Sequence, residues 1–113
     1  PKFPGNMYFM LNRNIVLNPG FHVISKEQIQ ICTSISRKYE AKKLVLFGSA
    51  VNDPLHARDI DLICEGVEGM DVFGMGAEME EEAHTRVDIV PVPPLSRFVL
   101  YNMSKGRVLF EKK

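Results

Sequence analysis

The sequence predicts an α+β fold: a mixed β-sheet with helices packed mainly on one face. Three observations carry this. Helix-period and strand-period segments follow one another in the order helix, strand, strand, helix, strand, helix, strand. The run Leu44-Val-Leu-Phe47 is apolar throughout and stops at Gly48-Ser49, as a buried strand does at a tight turn. The stretches Asp59-Ile-Asp-Leu62 and Arg86-Val-Asp-Ile89 alternate acid with aliphatic, so each presents one face to a core and the other to something that needs carboxylates.

Size and charge bound the possibilities. At 113 residues the chain is one domain with one core. Its 14 basic and 14 acidic residues balance, which argues against a dedicated duplex nucleic-acid binder, whose basic excess clusters on one face. Cys32 and Cys64 fall at apolar positions and read as free, buried thiols rather than a disulfide framework. No stretch approaches the roughly 20 apolar residues of a membrane span, and no signal-peptide pattern opens the sequence. The setting expected is reducing and cytoplasmic.

Residues 1–24 read as an N-terminal arm or hairpin. Met7–Leu11 and Asn14–Leu17 have the makings of short strands, with Asn18-Pro-Gly20 as a turn signal, and the unit lies either on the sheet edge or against another subunit of a homo-oligomer. His22 stands alone among apolar neighbours and has no second ligand spaced to match it. Ser25 followed by Gln28 is a capping box, and the helix behind it is expected to run to about Ala41 with Ile29, Cys32, Ile35 and Tyr39 on its apolar stripe.

After the Leu44 strand, Asp53-Pro54 limits any helix to a short turn starting at Ser49. The Asp59 strand follows, then a probable core helix from Met70 to Ala83, on which Val72, Met75 and Met79 form one line. The run Glu78, Glu80, Glu81 and Glu82 reads as a solvated face, and His84 ends the helix. Pro91-Val-Pro-Pro94 should stop the Asp88 strand. A last helix over Leu95–Ser104 is expected to turn Phe98, Tyr101 and Met103 partly inward, before a final strand at Val108–Phe110.

The chemistry gathers on three carboxylates. Asp59 and Asp61 share one strand face, and Asp88 joins them if its strand lies alongside. Like charges held this close repel and raise a pKa unless a cation compensates. A hard-oxygen cluster of this kind suits Mg²⁺, which is commonly held by one or two protein carboxylates together with water and substrate phosphate. A helix beginning at Ser49 would aim free backbone amides at the same place, where a triphosphate needs them.

Gly48-Ser49, Asp59-Ile-Asp61 and the later strand with Asp88 resemble the nucleotidyltransferase fold of the DNA polymerase beta superfamily, specifically its minimal nucleotidyltransferase, antitoxin-like branch. The closing Gly106-Arg-Val-Leu-Phe-Glu111 is similar to that branch's final strand, so the resemblance spans roughly Lys42 to the C-terminus within a domain of residues 25–113. It implies that Asp59, Asp61 and Asp88 bind two Mg²⁺ ions and carry catalysis, and that Gly48, Ser49 and Arg58 contact the phosphates of ATP or another nucleoside triphosphate. The implied reaction transfers a nucleoside monophosphate, AMP from ATP, to a hydroxyl, on a protein partner among other acceptors. The branch's basic residue and glycine after Gly-Ser are replaced here by Val51, Asn52 and Asp53. Small members of the branch are often paired with an all-helical HEPN-type protein. The alternative function is therefore a non-catalytic toxin–antitoxin or regulatory subunit that keeps the fold and holds such a partner.

Overall fold

The computed structural model describes residues 10–12, 15–16 and 23–112. Two short strands, β1 (Met10–Asn12) and β2 (Ile15–Val16), pair antiparallel in a sheet of their own, and among the described residues this sheet is not hydrogen-bonded to the edge of the main one. The predicted turn at Asn18–Gly20 and His22 lie outside the described residues.

Helix α1 (Lys26–Lys38) starts at the predicted capping box: Ser25 Oγ accepts the Gln28 amide at 3.1 Å and Gln28 Oε1 accepts the Ser25 amide at 2.8 Å. It stops three residues before Ala41. The chain turns at Glu40, whose φ is +64°, while the amides of Glu40 and Ala41 reach back to the carbonyls of Arg37 and Ser36. This is a Schellman ending built on a non-glycine residue, which no glycine signals in the sequence. Cys32, Ile35 and Ser36 are buried, the serine by donating its hydroxyl to the Thr33 carbonyl.

The main sheet has four strands in the order β5-β4-β3-β6. β3 (Lys43–Phe47) is central and runs antiparallel to β4 (Asp59–Glu65) and to β6 (Arg107–Glu111), while β5 (Arg86–Val92) lies parallel to β4 at one edge. The parallel pair is joined by α3 (Met70–Ala83), the crossover helix such a pair requires. Alternation sorts the side chains into two cores. On one face Leu44, Leu46, Ile60, Leu62, Cys64 and Val87 meet Cys32 and Ile35 of α1 and Met75, Met79 and Ala83 of α3. On the other, Val45, Phe47, Ile63 and Val92 pack on Val99 of α4 (Arg97–Lys105), whose cap is Ser96. Two helices thus cover one face and a single short one the other.

Three local expectations need correction. β5 continues through Pro91 to Val92 rather than ending at Val90. It does so because it is an edge strand: the Val87 amide is taken by Glu80 Oε2 at 2.9 Å and therefore points away from β4, and by alternation the position of Pro91 also faces outward, where a missing N–H breaks no ladder bond. On α4, the buried residue is Val99; Phe98 and Tyr101 are 55% and 62% exposed. Four helical positions separate Val99 from Met103, and that pair packs into the core beneath the helix; Phe98 keeps only a ring edge against the sheet, and Tyr101 is the residue that does not turn inward as expected. The acidic run on α3 is only partly a solvated face, since Glu78 pairs with Lys38 and accepts from Tyr39, and Glu80 caps β5.

Candidate active site

β3 ends in Gly48, and the turn there is one that only glycine adopts comfortably, with φ +75° and ψ −149°. Gly48 is the N-cap of α2 (Ser49–Asn52), a single turn in which its carbonyl accepts the amides of Val51 and Asn52. The helix begins at Ser49 as the sequence predicts, but glycine, not Ser49, occupies the capping position, and Ser49 stands exposed as the first helical residue. Its turn leaves the first amides of α2 without helical carbonyl partners.

Beside this turn the carboxylates assemble. Ile60 and Leu62 are fully buried on the α1/α3 face, which forces Asp59 and Asp61 onto the opposite one, where both are half-buried. Phe47 is the cross-strand partner of Asp61 on one side, and Asp88 is its partner on the other. The sequence-predicted trio therefore shares one face and one end of the sheet, with Asp61 at the centre. α4 covers the neighbouring part of that face; the ring of Phe98 stands edge-on to Phe47, with centroids 5.9 Å apart.

The electrostatics follow from this crowding. Burial first, then the charges of Asp88 and Asp59, push the Asp61 carboxyl above its ordinary value, and Arg86 offsets part of the rise. Arg86 opens β5 directly opposite Asp59, and its Nε lies 3.3 Å from Asp88 Oδ1. The two acids in turn hold the Arg86 guanidinium above its usual range, Asp88 more than Asp59. Arg86 is not among the residues the sequence singles out, although its i, i+2 spacing to Asp88 on a strand places both on one face. Arg58 is exposed just before β4; its backbone carbonyl accepts the Thr85 hydroxyl at 2.8 Å, and its side chain makes no ion pair among the described residues.

The donor set is all oxygen, which matches a hard divalent cation, and the guanidinium already lying against Asp88 stands where positive charge is wanted. Among the described residues no three His, Cys, Asp or Glu side chains converge closely enough to hold a metal ion as they stand. Asp88 is shared between its neighbour Asp61 and the Arg86 guanidinium. Asp88 also lines a groove of about 340 Å³ between α3 and β5, with Val72, Phe73, Gly76, Ala77, Glu80, Val87 and Ile89. A larger depression of about 440 Å³ lies at the opposite end of the sheet, walled by Lys42, Lys43, Lys112, Glu40, Glu65 and Glu111, whose mixed charges favour no one ion.

No family model matches this sequence, and no curated protein does. Solved structures do match. A crystal structure of the toxin–antitoxin pair MntA–HepT superposes with a TM-score of 0.62 at 14% identity, covering 78% of this chain and 74% of that one. A toxin–antitoxin structure with AMP-PNP gives 0.64 at 16% identity, over 74% and 73% of the two chains. A point mutant of the MntA–HepT complex gives 0.63 at 17% identity, over 79% and 74%. The chain has the nucleotidyltransferase fold. The nucleotidyltransferase sheet here carries its acids on β4 and β5 and its glycine turn after β3, in the order the sequence predicts. No helix among the described residues is long and apolar enough to cross a membrane.

Proposed function

We propose that this chain is a Mg²⁺-dependent nucleotidyltransferase that moves a nucleoside monophosphate, AMP from ATP, to a hydroxyl acceptor on a protein partner. One observation carries the reading: Asp61 and Asp88 are direct neighbours across β4 and β5, Asp59 shares their face, and all three stand beside a turn whose Gly48 conformation excludes other residues. Divalent metal bound to the three carboxylates supplies neutralisation of phosphate charge and a lowered pKa at the attacking hydroxyl. The chain's own groups do the rest. Gly48 lets backbone approach the phosphates, the amide and hydroxyl of Ser49 donate to them, and Arg58 adds a cation at the solvent side. Asp88, on the edge strand, takes the hydroxyl proton as that oxygen attacks the α-phosphorus and the bond to pyrophosphate breaks. The similar structure with AMP-PNP supports a nucleotide in this fold.

Calorimetry with a non-hydrolysable ATP analogue tests the reading. Wild type binds it only with Mg²⁺, and the double variant Asp59→Asn, Asp61→Asn loses that binding while staying folded. Equal binding by the double variant would place the nucleotide elsewhere.

A second reading, a non-catalytic antitoxin-like subunit that holds a helical HEPN-type partner, is favoured by α4. Leu95, just before the helix, and Phe98, Leu100 and Tyr101 on it expose between 54% and 62% of their surface as one apolar band. The similar structures are toxin–antitoxin complexes, which supports a partner of this kind. Under that reading Leu100→Ser and Tyr101→Ser break partner binding, and the Asp59 and Asp61 substitutions leave it intact.

A further inference from the structure

The spacer after Gly48-Ser49 contains no lysine or arginine until Arg58, its His56 is engaged by Asp53, and the Arg58 side chain makes no ion pair with the carboxylates. The cation that does reach them is Arg86. It is cross-strand neighbour to Asp59, its Nε is 3.3 Å from Asp88 Oδ1, and its side chain is 67% exposed, so the head group is tethered at one end of the site and free to swing. Asp88 lies beside Asp61 across the strands, and Arg86 occupies one of its oxygens, an oxygen that a metal shared by the three carboxylates would have to take from it. An exposed ion pair of this kind is weak enough to be exchanged. A guanidinium released from a carboxylate beside a nucleotide site has an obvious second partner in a phosphate oxygen, which it matches in geometry.

Resting on the metal-dependent reading above, we propose that Arg86 is a resident counter-ion which the site exchanges for divalent metal. It holds Asp88 while the carboxylates are metal-free, and turns to a phosphate oxygen of the nucleoside triphosphate once metal has taken them. Arg86 thereby does the work of the basic residue missing after Gly48-Ser49, and it couples the two ligands: metal releases the group that grips the nucleotide.

The test uses Mn²⁺, whose free fraction is read by electron paramagnetic resonance without nucleotide, and AMP-PNP titrated calorimetrically at saturating Mn²⁺. Arg86→Gln removes the competing charge, so Mn²⁺ binds about tenfold tighter while AMP-PNP binds about tenfold weaker. Arg86→Lys keeps the charge and leaves Mn²⁺ affinity within about threefold of wild type; thermal melting in chelator shows that each variant is folded. Mn²⁺ affinity unchanged or weakened in Arg86→Gln, AMP-PNP affinity unchanged, or Arg86→Lys behaving as Arg86→Gln each overturns the exchange. If wild type binds Mn²⁺ no better than the Asp59→Asn, Asp61→Asn variant, the metal reading itself falls and this inference with it.

Discussion

A β-carbon on Gly48 would lie 2.6 Å from Oδ2 of Asp61. The turn and the central acid thus lie so close that a side chain at position 48 would have to push the Asp61 carboxylate aside, and the strand-end glycine leaves the carboxylate where it stands. Gly48→Ala combines that clash with a backbone conformation closed to alanine. It is expected to cost roughly 1–3 kcal/mol in stability, read by thermal melting. It should also displace Asp61 and abolish Mg²⁺-dependent nucleotide binding by calorimetry. A variant with wild-type melting and binding would mean that the turn relaxes freely.

Asp61 gives a pH dependence of definite sign. Its carboxyl is held above the ordinary value of 3.8 in the folded chain, by burial and then by Asp88 and Asp59. The folded state therefore binds this proton more tightly than the unfolded one. The stability this brings is fully present below the ordinary value and is lost as pH rises through the raised one. Asp61→Asn removes the penalty, so it should melt a few degrees above wild type at about pH 7, with the advantage shrinking as the solution is acidified toward about pH 4. An advantage that grew on acidification would contradict the crowding of these acids.

Glu80 accepts the Val87 amide at 2.9 Å from outside the sheet. Glu80→Ala leaves that donor on an open edge and should cost about 1 kcal/mol, with faster hydrogen exchange at Val87, whereas Glu80→Gln retains an acceptor and most of the protection. Equal exchange in both variants would show that water replaces the side chain at no cost.

The orientation of α4 is tested by two neighbouring residues. Val99 is 2% exposed and Leu100 is 54% exposed. Val99→Ala should lose roughly 1–3 kcal/mol from the core under α4. Leu100→Ser should stay within about 0.5 kcal/mol of wild type in a denaturant melt. The reverse order would turn the helix over.

Much of this was legible because local chemistry and global packing agree. The capping box at Ser25 and Gln28, the apolar run into Gly48 and the acid–aliphatic alternation of β4 each state their structure in adjacent residues. Where the determinant lies far along the chain, the sequence is silent. Glu40 adopts a left-handed turn because Ala41 must reach the buried layer, which no residue type at position 40 announces. Pro91 reads as a strand terminator until β5 is known to be an edge. On α4, the apolar residues Phe98, Val99, Leu100, Tyr101 and Met103 surround the helix, so periodicity alone does not say which of them faces the sheet. At the site, the three aspartates are marked by alternation, while Arg86 acquires its place only through the register of β5 on β4.

The outer rim of β5 has a bearing on how copies of this molecule behave in concentrated solution. Two of its three outward backbone positions offer no free donor: the Val87 amide is already occupied by Glu80, and Pro91 has none. An extended peptide or a second copy seeking to continue the sheet there finds acceptors but only the Ile89 amide as a free donor, so a full ladder cannot form and fibril-like stacking through this rim is disfavoured. Recognition by this chain is consequently steered to its faces, where the acids and the apolar band of α4 lie side by side.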